Sequence, residues 1–332
     1  MELELMRSFW VKKALRLLLL LLGVSAAAFA LVSLSPVDPL QTNVGQTALG
    51  SMSAEQIQQL RQYWGVDVPA VERFVRWLSG AIRGDLGISL LYRRPVVQVI
   101  AEKAAYSLGL MAASWVVSGV VGFALGVIAA AKKDRISDRL ITGGALLLSG
   151  TPAFWLALVL LTVFSVKLGW FPVGLAVPMG VTADQVTLWD RILHGFLPAV
   201  TLSVAGMPNM ILHTREKMIQ VLESDYVLFA RARGESKASI VVRHGLRNVA
   251  LPSLTLQLCS VSEILGGSIL VEQVFSYPGL GQAAVNAGLG GDVPLLLGIT
   301  VFTAVFVFCG NLAADLLYLA VDPRMREGGE ER

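Results

Sequence analysis

Six stretches of this chain are apolar over about the 20 residues a helix needs to cross a bilayer, and they restrict the fold more than any other feature. They are Leu17–Leu34, Ala104–Ala131, Leu140–Val166, Ile192–Leu212, Val249–Phe275 and Val293–Val321. Inside hydrocarbon every backbone N–H and C=O must find its partner within the protein, so such runs are expected to be helices. Charge supports the reading: Asp, Glu, Lys and Arg make up 15% of the residues, against about 25% in soluble domains. The expected fold class is an all-α integral membrane protein with six transmembrane helices and a long external segment between helices one and two. The fourth stretch is the least apolar, holding His194, Pro198 and Pro208. Prolines are tolerated in spanning helices when neighbouring groups satisfy the freed carbonyls.

Lys12, Lys13 and Arg16 precede a leucine run and then "SAAAFA", an arrangement shared with secretory signal peptides. The apolar run continues past that point to Leu34 and five more stretches follow, so an uncleaved first helix is expected. Orientation follows the side on which Lys and Arg collect. Arg7, Lys12, Lys13 and Arg16, the turn "KKDRISDR", the Arg215–Arg247 region and Arg324, Arg326 and Arg332 all fall on one side of a six-helix chain. That side is expected to be the cytoplasm, with both termini on it, in a cell (inner or plasma) membrane. Arg61, Arg73, Arg76, Arg83, Arg93, Arg94 and Lys103 oppose this, but the rule weakens in loops of about 60 residues. The expected organisation is 1–34, N-terminus and first helix; 35–103, external segment; 104–321, five-helix core including a cytoplasmic loop at 215–248; and 322–332, tail.

In the external segment Val71, Phe74, Val75, Leu78 and Ile82 recur at helical spacing, with Glu72, Arg73 and Arg76 on other faces. An amphipathic helix is expected here, packed in the lipid interface or supporting an external partner. "GDLG" at Gly84–Gly87 reads as a turn and Pro95 as a second break.

The longest polar interruption is "DYVLFARARGESKASIVVRHGLRNVALP", Asp225–Pro252. Ser224 or Asp225 can cap a helix starting near Tyr226, and Gly234 can end it in a left-handed conformation. A second helical run, Lys237 to Asn248, leads back into the membrane with Pro252 near the start of the fifth span. The orientation rule accounts for the arginines but not for a helix pair bounded by glycine.

Several functions are disfavoured. The net charge of +3 is too small to indicate a nucleic-acid partner. There is no G-x-x-x-x-G-K-[ST] phosphate loop. "GLGQAA" at Gly279–Ala284 matches part of a dinucleotide fingerprint but follows a membrane helix, which fits an outer loop or gate better. No carboxylate pair or nucleophile with its base stands out, and His194, His213 and His244 are too dispersed for a metal site, so none is expected. Cys259 and Cys309 lie in apolar runs and are expected to be buried, reduced thiols. At membrane depth, Gln257, Ser260, Glu263 and Gly267 fall within about a 120° arc of one helix and form a candidate translocation pathway. A carboxylate such as Glu263 is costly in hydrocarbon and tends to face protein or water. Glu272 and Asp292, near the outer mouth, are candidate gate or docking residues.

The chain resembles the permeases of ABC importers, specifically the dipeptide/oligopeptide/nickel branch. "DYVLFARARG" with "RHGLRNVALP" resembles their cytoplasmic coupling-helix loop, although of the Glu-Ala-Ala that opens the broader motif only Ala230 is matched, Leu228 and Phe229 departing. "SLSPVDP", "YWGVDVP", "RFVRWL", "RGDLGIS", "TPAFW", "LGWFPVG", "GGSILVEQVFSYPGLG" and "NLAADLLYLAVDPRMRE" resemble the branch in the same order. The resemblance implies a permease subunit paired with a second, homologous permease, two ATPase subunits and an external substrate-binding protein. It implies no cofactor and no ATPase site in this chain, ATP and Mg being held by the partner ATPases. Asp225, Tyr226, Ala230, Ala232 and Gly234 would then form the ATPase contact, and Arg231, Arg233, Arg243, His244, Arg247 and Asn248 would hold the loop in place. Dipeptides or oligopeptides are the expected cargo, nickel or another chelated metal the alternative. A stand-alone secondary transporter or channel is the reading from another class; it usually shows inverted repeats, and none is seen.

Overall fold

The structure is a computed structural model describing residues 2–34, 39–64, 68–182 and 185–321. Among these residues the chain is mostly helical, interrupted by turns, an irregular stretch over 168–182 and 185–187, and one isolated antiparallel bridge, Ile88–Pro95. In order the helices are α1 Glu2–Ser33, α2 Pro39–Val44, α3 Gln46–Ser51, α4 Ala54–Trp64, α5 Ala70–Ile82, α6 Val96–Ala131, α7 Ile136–Ser149 and α8 Ala153–Leu160, the last continued by a π turn, Leu161–Lys167. Then come α9 Leu188–Leu222, α10 Asp225–Ala232, α11 Lys237–Ile240, a second π turn Val241–Leu246, α12 Arg247–Cys259, α13 Val261–Val274, α14 Leu280–Gly290 and α15 Val293–Val321.

Among the described residues four helices are long and apolar enough to cross a membrane, and up to six crossings result if each of two bent pairs is one span. The third expected span is not one rod. It breaks between α7 and α8 with a bend of 107°. Pro152 lacks an N–H and disfavours a helical residue before it, so the helix stops at Gly150–Thr151. The fifth bends by 48° between α12 and α13. The second begins at Val96 rather than Ala104, directly after Pro95, and the fourth begins at Leu188 rather than Ile192. That earlier start has a specific cause. Thr187 Oγ1 accepts from the Asp190 amide at 3.2 Å while the Asp190 carboxylate accepts from the Thr187 amide at 2.9 Å, a reciprocal cap.

By internal contacts the chain forms two compact units. The first comprises residues 1–106 and 279–308. In it α5 is the expected amphipathic helix: Phe74 packs on Phe29 of α1 with ring centroids 5.2 Å apart, and the Arg73 guanidinium lies 5.8 Å from the Phe29 ring centre. Val71 and Ile82 remain 76% and 80% exposed, as expected of a helix whose second apolar edge meets something other than its own chain. The "GDLG" turn forms as read, with the Gly87 amide donating to Asp85 Oδ1 at 2.8 Å. Gly279–Ala284, expected to shape an outer loop or gate, instead opens helix α14, Leu280–Gly290. Its buried Leu280, Ala283 and Ala287, one face of a helix, outweigh the low helix propensity of its glycines.

The second unit comprises residues 107–278 and 309–332. Here α9 is central, packed against α7, α8, α12 and α13. It also approaches α6 at backbone distance, since a Cβ on Gly126 would stand 2.8 Å from the Ile211 carbonyl oxygen. Cys259 and Cys309 are exposed on the single chain rather than buried.

Candidate functional site

The connection that follows α9 turns Asp225–Pro252 into a small folded device. Ser224 occupies the cap position of α10, but its hydroxyl donates backward to the Val221 carbonyl at 2.5 Å, so the expected side-chain cap is absent. The C-terminal end is closed as expected. Gly234 has φ +83°, its amide donates to Arg231 O at 2.9 Å, and the Glu235 amide donates to Ala230 O at 3.1 Å. These two bonds make the six-residue closure that needs a left-handed residue at the glycine. Ser236 then caps the next helix, its Oγ accepting from the Ser239 amide at 3.3 Å.

Val227, Ala230 and Ile240 form the device's own core, with Leu222 packed against it. Ala230 was expected on the partner contact, but it points inward at 5% exposure, where its small side chain lets α10 and α11 pack closely. The opposite face of α10 is apolar and open: Tyr226, Leu228 and Phe229 are 45%, 64% and 70% exposed. Asp225, Ala232 and Gly234 are also exposed.

Two of the expected holding residues, His244 and Asn248, come together with Tyr226, which was expected in the partner contact. Asn248 Nδ2 donates to the Tyr226 hydroxyl at 3.3 Å and to the His244 carbonyl at 2.7 Å, and the Tyr226 and His244 rings are 6.2 Å apart. His244 Nε2 lies 3.4 Å from Glu235 Oε2. The approach lacks hydrogen-bond alignment, so the buried Nε2 has no hydrogen-bond partner among the described residues. Arg231 donates to the Leu222 carbonyl at 3.2 Å, tying α10 back to the end of α9. Arg233, Arg243 and Arg247 are exposed and make no ion pair among the described residues.

Two charge pairs beneath this device were not foreseen. Asp138, 2% exposed at the start of α7, accepts from Arg215 Nε at 2.6 Å and Nη2 at 2.8 Å, a bidentate clamp from α7 to α9. Lys133 pairs with Glu223, and this bond holds the ammonium above the ordinary lysine value. Nothing local distinguishes either carboxylate, because each partner lies far along the chain.

Three of the four candidate pathway residues border one cavity, although the 48° bend falls at Ser260 between them. Gln257 is buried, its Nε2 donating to Trp115 O at 2.7 Å while Trp115 Nε1 donates to Gln257 O at 2.7 Å. It is a brace between α12 and α6. Ser260 Oγ donates to Gln257 O at 2.7 Å across the bend. Glu263 is exposed and both its oxygens lie 3.4 Å from Asn209 Nδ2. Gln257, Ser260, Glu263 and Asn209 border a cavity of about 120 Å³. Gly267 lies outside it, a Cβ there standing 3.5 Å from Leu202.

Glu272 and Asp292, expected as gate or docking residues, are both 0% exposed, which leaves neither carboxylate open to a partner in this conformation. Glu272 accepts from Ser107 Oγ at 2.6 Å. Asp292 accepts from Ser89 Oγ at 2.5 Å, from the Leu91 amide at 3.0 Å and, capping α15, from the Leu295 amide at 3.2 Å. Asp292→Asn replaces one acceptor oxygen by a donor. It is expected to cost about 2 kcal/mol and to speed proteolytic cleavage of the 84–95 turn region; unchanged cleavage would show that the turn holds without the carboxylate. Among the described residues no three His, Cys, Asp or Glu side chains converge as metal ligands.

Residues 122–327 match the family model described as "Binding-protein-dependent transport system inner membrane component", and residues 6–110 match its N-terminal counterpart. The oligopeptide transport system permease protein AppB of Bacillus subtilis (strain 168) is 33% identical over 323 residues, 96% of this chain and 99% of the relative. The glutathione transport system permease protein GsiC of Escherichia coli (strain K12) is 37% identical over 322 residues, 97% of this chain and 99% of the relative. Among solved structures, the inward-facing MetNI methionine ABC transporter superposes with a TM-score of 0.55 at 17% identity, over 68% of this chain and 97% of that one, a likeness of fold.

Proposed function

The chain belongs to the family of binding-protein-dependent transport system inner membrane components, and from that premise we propose that it is a permease subunit of an ATP-driven importer of dipeptides or oligopeptides. On this reading it works beside a second, homologous permease, with two ATPase subunits on the cytoplasmic side, where both termini lie, and an external substrate-binding protein. ATP and Mg belong to the ATPases. The observation that carries the reading is the open face of α10. Leu228 and Phe229 are 64% and 70% exposed on a short helix that its own chain covers only from behind. A partner that closes over this face gains differential contacts between two states, which is the requirement for driving a conformational change. Relatives aligned over nearly the whole chain are named for oligopeptides and for glutathione, itself a short peptide, which supports the cargo class.

The test is uptake in cells with and without the gene, comparing labelled dipeptides and oligopeptides with nickel at trace concentration. Loss of peptide uptake alone is expected. Loss of nickel uptake alone would replace the cargo by a chelated metal, and peptide uptake that persists without any ATPase partner would replace the importer by a stand-alone transporter.

A further inference from the structure

The flank of the α10–α11 device that faces α6 and α9 borders a half-open cavity of about 480 Å³ with a strongly basic lining. Lys132 and Lys133 follow the last residue of α6, Arg135 precedes α7, and Arg231 and Lys237 come from the device. One acid, Glu223, lines it and is engaged by Lys133. Arg231 uses a donor on the Leu222 carbonyl and keeps its charge. Lys132, Arg135 and Lys237 have no carboxylate partner among the described residues, so the cavity is left net positive. The rest of the wall is apolar, including Ile219, Leu222 and Val241.

We propose that this cavity binds the phosphate headgroup of an acidic phospholipid. Three observations favour that occupant. The lysines begin directly after the apolar run of α6 ends at Ala131, the position at which a helix crossing the bilayer would meet the headgroups. Basic pockets between helices at this depth attract anionic lipids. The cavity pairs cations with an apolar wall, matching a phosphate joined to a glycerol and the start of an acyl chain, and it is far larger than one inorganic anion requires. Leu228 and Phe229, the open face of α10, do not line it, so a protein partner and the lipid can be held together. Because residues 132–135 and 231–241 share one cavity, an occupied site ties the position of α10 and α11 to the local lipid. That regulatory consequence rests on the coupling role proposed above; the binding itself does not.

The test uses the full chain without ATPase subunits, in nanodiscs of phosphatidylcholine with or without phosphatidylglycerol. Lipid retained after transfer to detergent is counted by native mass spectrometry. Preferential retention of phosphatidylglycerol is expected. Combining Lys132→Gln, Arg135→Gln and Lys237→Gln should lower the preference roughly 100-fold, since each cation at the membrane surface contributes about fivefold. Lys132→Arg with Lys237→Arg should retain it, which separates charge from misfolding. Equal retention by the Gln variant would overturn the site. Displacement of the lipid by millimolar inorganic phosphate would reassign it to a free anion. In a parallel co-purification with the ATPase subunits added, a Gln variant that keeps the lipid but no longer holds the ATPases would make the patch a protein-docking surface and overturn the proposal.

Discussion

Asp138→Ala is expected to destabilise the protein by about 3 kcal/mol, because removing one partner of a buried ion pair leaves the other without compensation. The carboxylate accepts from Arg215 through both oxygens and also takes the Asp134 amide at 2.9 Å and the Thr142 hydroxyl at 3.1 Å. The figure sits at the low end for buried pairs because the Arg215 side chain keeps 25% of its exposure and can recover some water. Unfolding in mixed micelles, followed by helical circular dichroism, measures the loss; a change below about 1 kcal/mol, the worth of an exposed pair, would show that the clamp is solvated. Asp138→Leu combined with Arg215→Met should recover most of the stability, since well-packed apolar replacements of a buried pair are often neutral. If the clamp also carries motion from the α10 device toward α7, this double variant will be stable yet impaired in transport.

Gly234→Val has the largest expected effect on transport. At φ +83° an L-residue places its Cβ against the following carbonyl, at a cost of about 1–2 kcal/mol, and β-branching adds to it. Apart from its chain neighbours, no heavy atom of the described residues lies within 4 Å of a Cβ built there, so the strain is in the backbone and not in packing. The closure between Ala230 and Glu235 should open, α10 should lose its fixed angle to α11, and uptake should fall at least about tenfold, the factor that corresponds to 1.4 kcal/mol. The protein should remain in the membrane at normal level. Gly234→Asn should keep most of the uptake because asparagine tolerates the left-handed region. Normal uptake by the valine variant would remove this loop from the transport cycle.

Much of the architecture was legible because it depends on local pattern. Apolar length marked the spans, the spacing of Val71, Phe74, Val75, Leu78 and Ile82 marked α5, and Gly234 marked the end of α10. Two misreadings concerned signals that were present. Gly150–Pro152 interrupts the third span as visibly as Pro198 interrupts the fourth, yet α9 continues through its prolines whereas α7 stops. Thr187 and Asp190 form a cap readable at three-residue spacing, but the hydropathy of the following residues was too low to mark the helix start. Pairings at a distance were not legible. Asp138 with Arg215, Ser107 with Glu272 and Ser89 with Asp292 are each separated by dozens of residues or more. Which carboxylate is buried depends on the partner that the fold delivers. Of the Gln257–Gly267 stripe, Gln257, Ser260 and Glu263 border one cavity while Gly267 lies outside it, because a 48° bend in the middle of the run shifts the angular arithmetic on which a stripe rests.

The π turn at Val241–Leu246 fixes a phase relation. A π turn accommodates one residue more than an α-helical path of the same shape, and Gly245 within it lies so close to the Met218 sulfur that a Cβ there would stand 2.6 Å away. Removing one residue from this segment would restore ordinary winding and rotate the α10 device about the axis of α12 by roughly 100°. Tyr226, His244 and Asn248 would no longer meet, and the open face of α10 would be presented to the wrong quarter. The length of this segment is therefore a quantised property of the chain, like the tooth count of a gear.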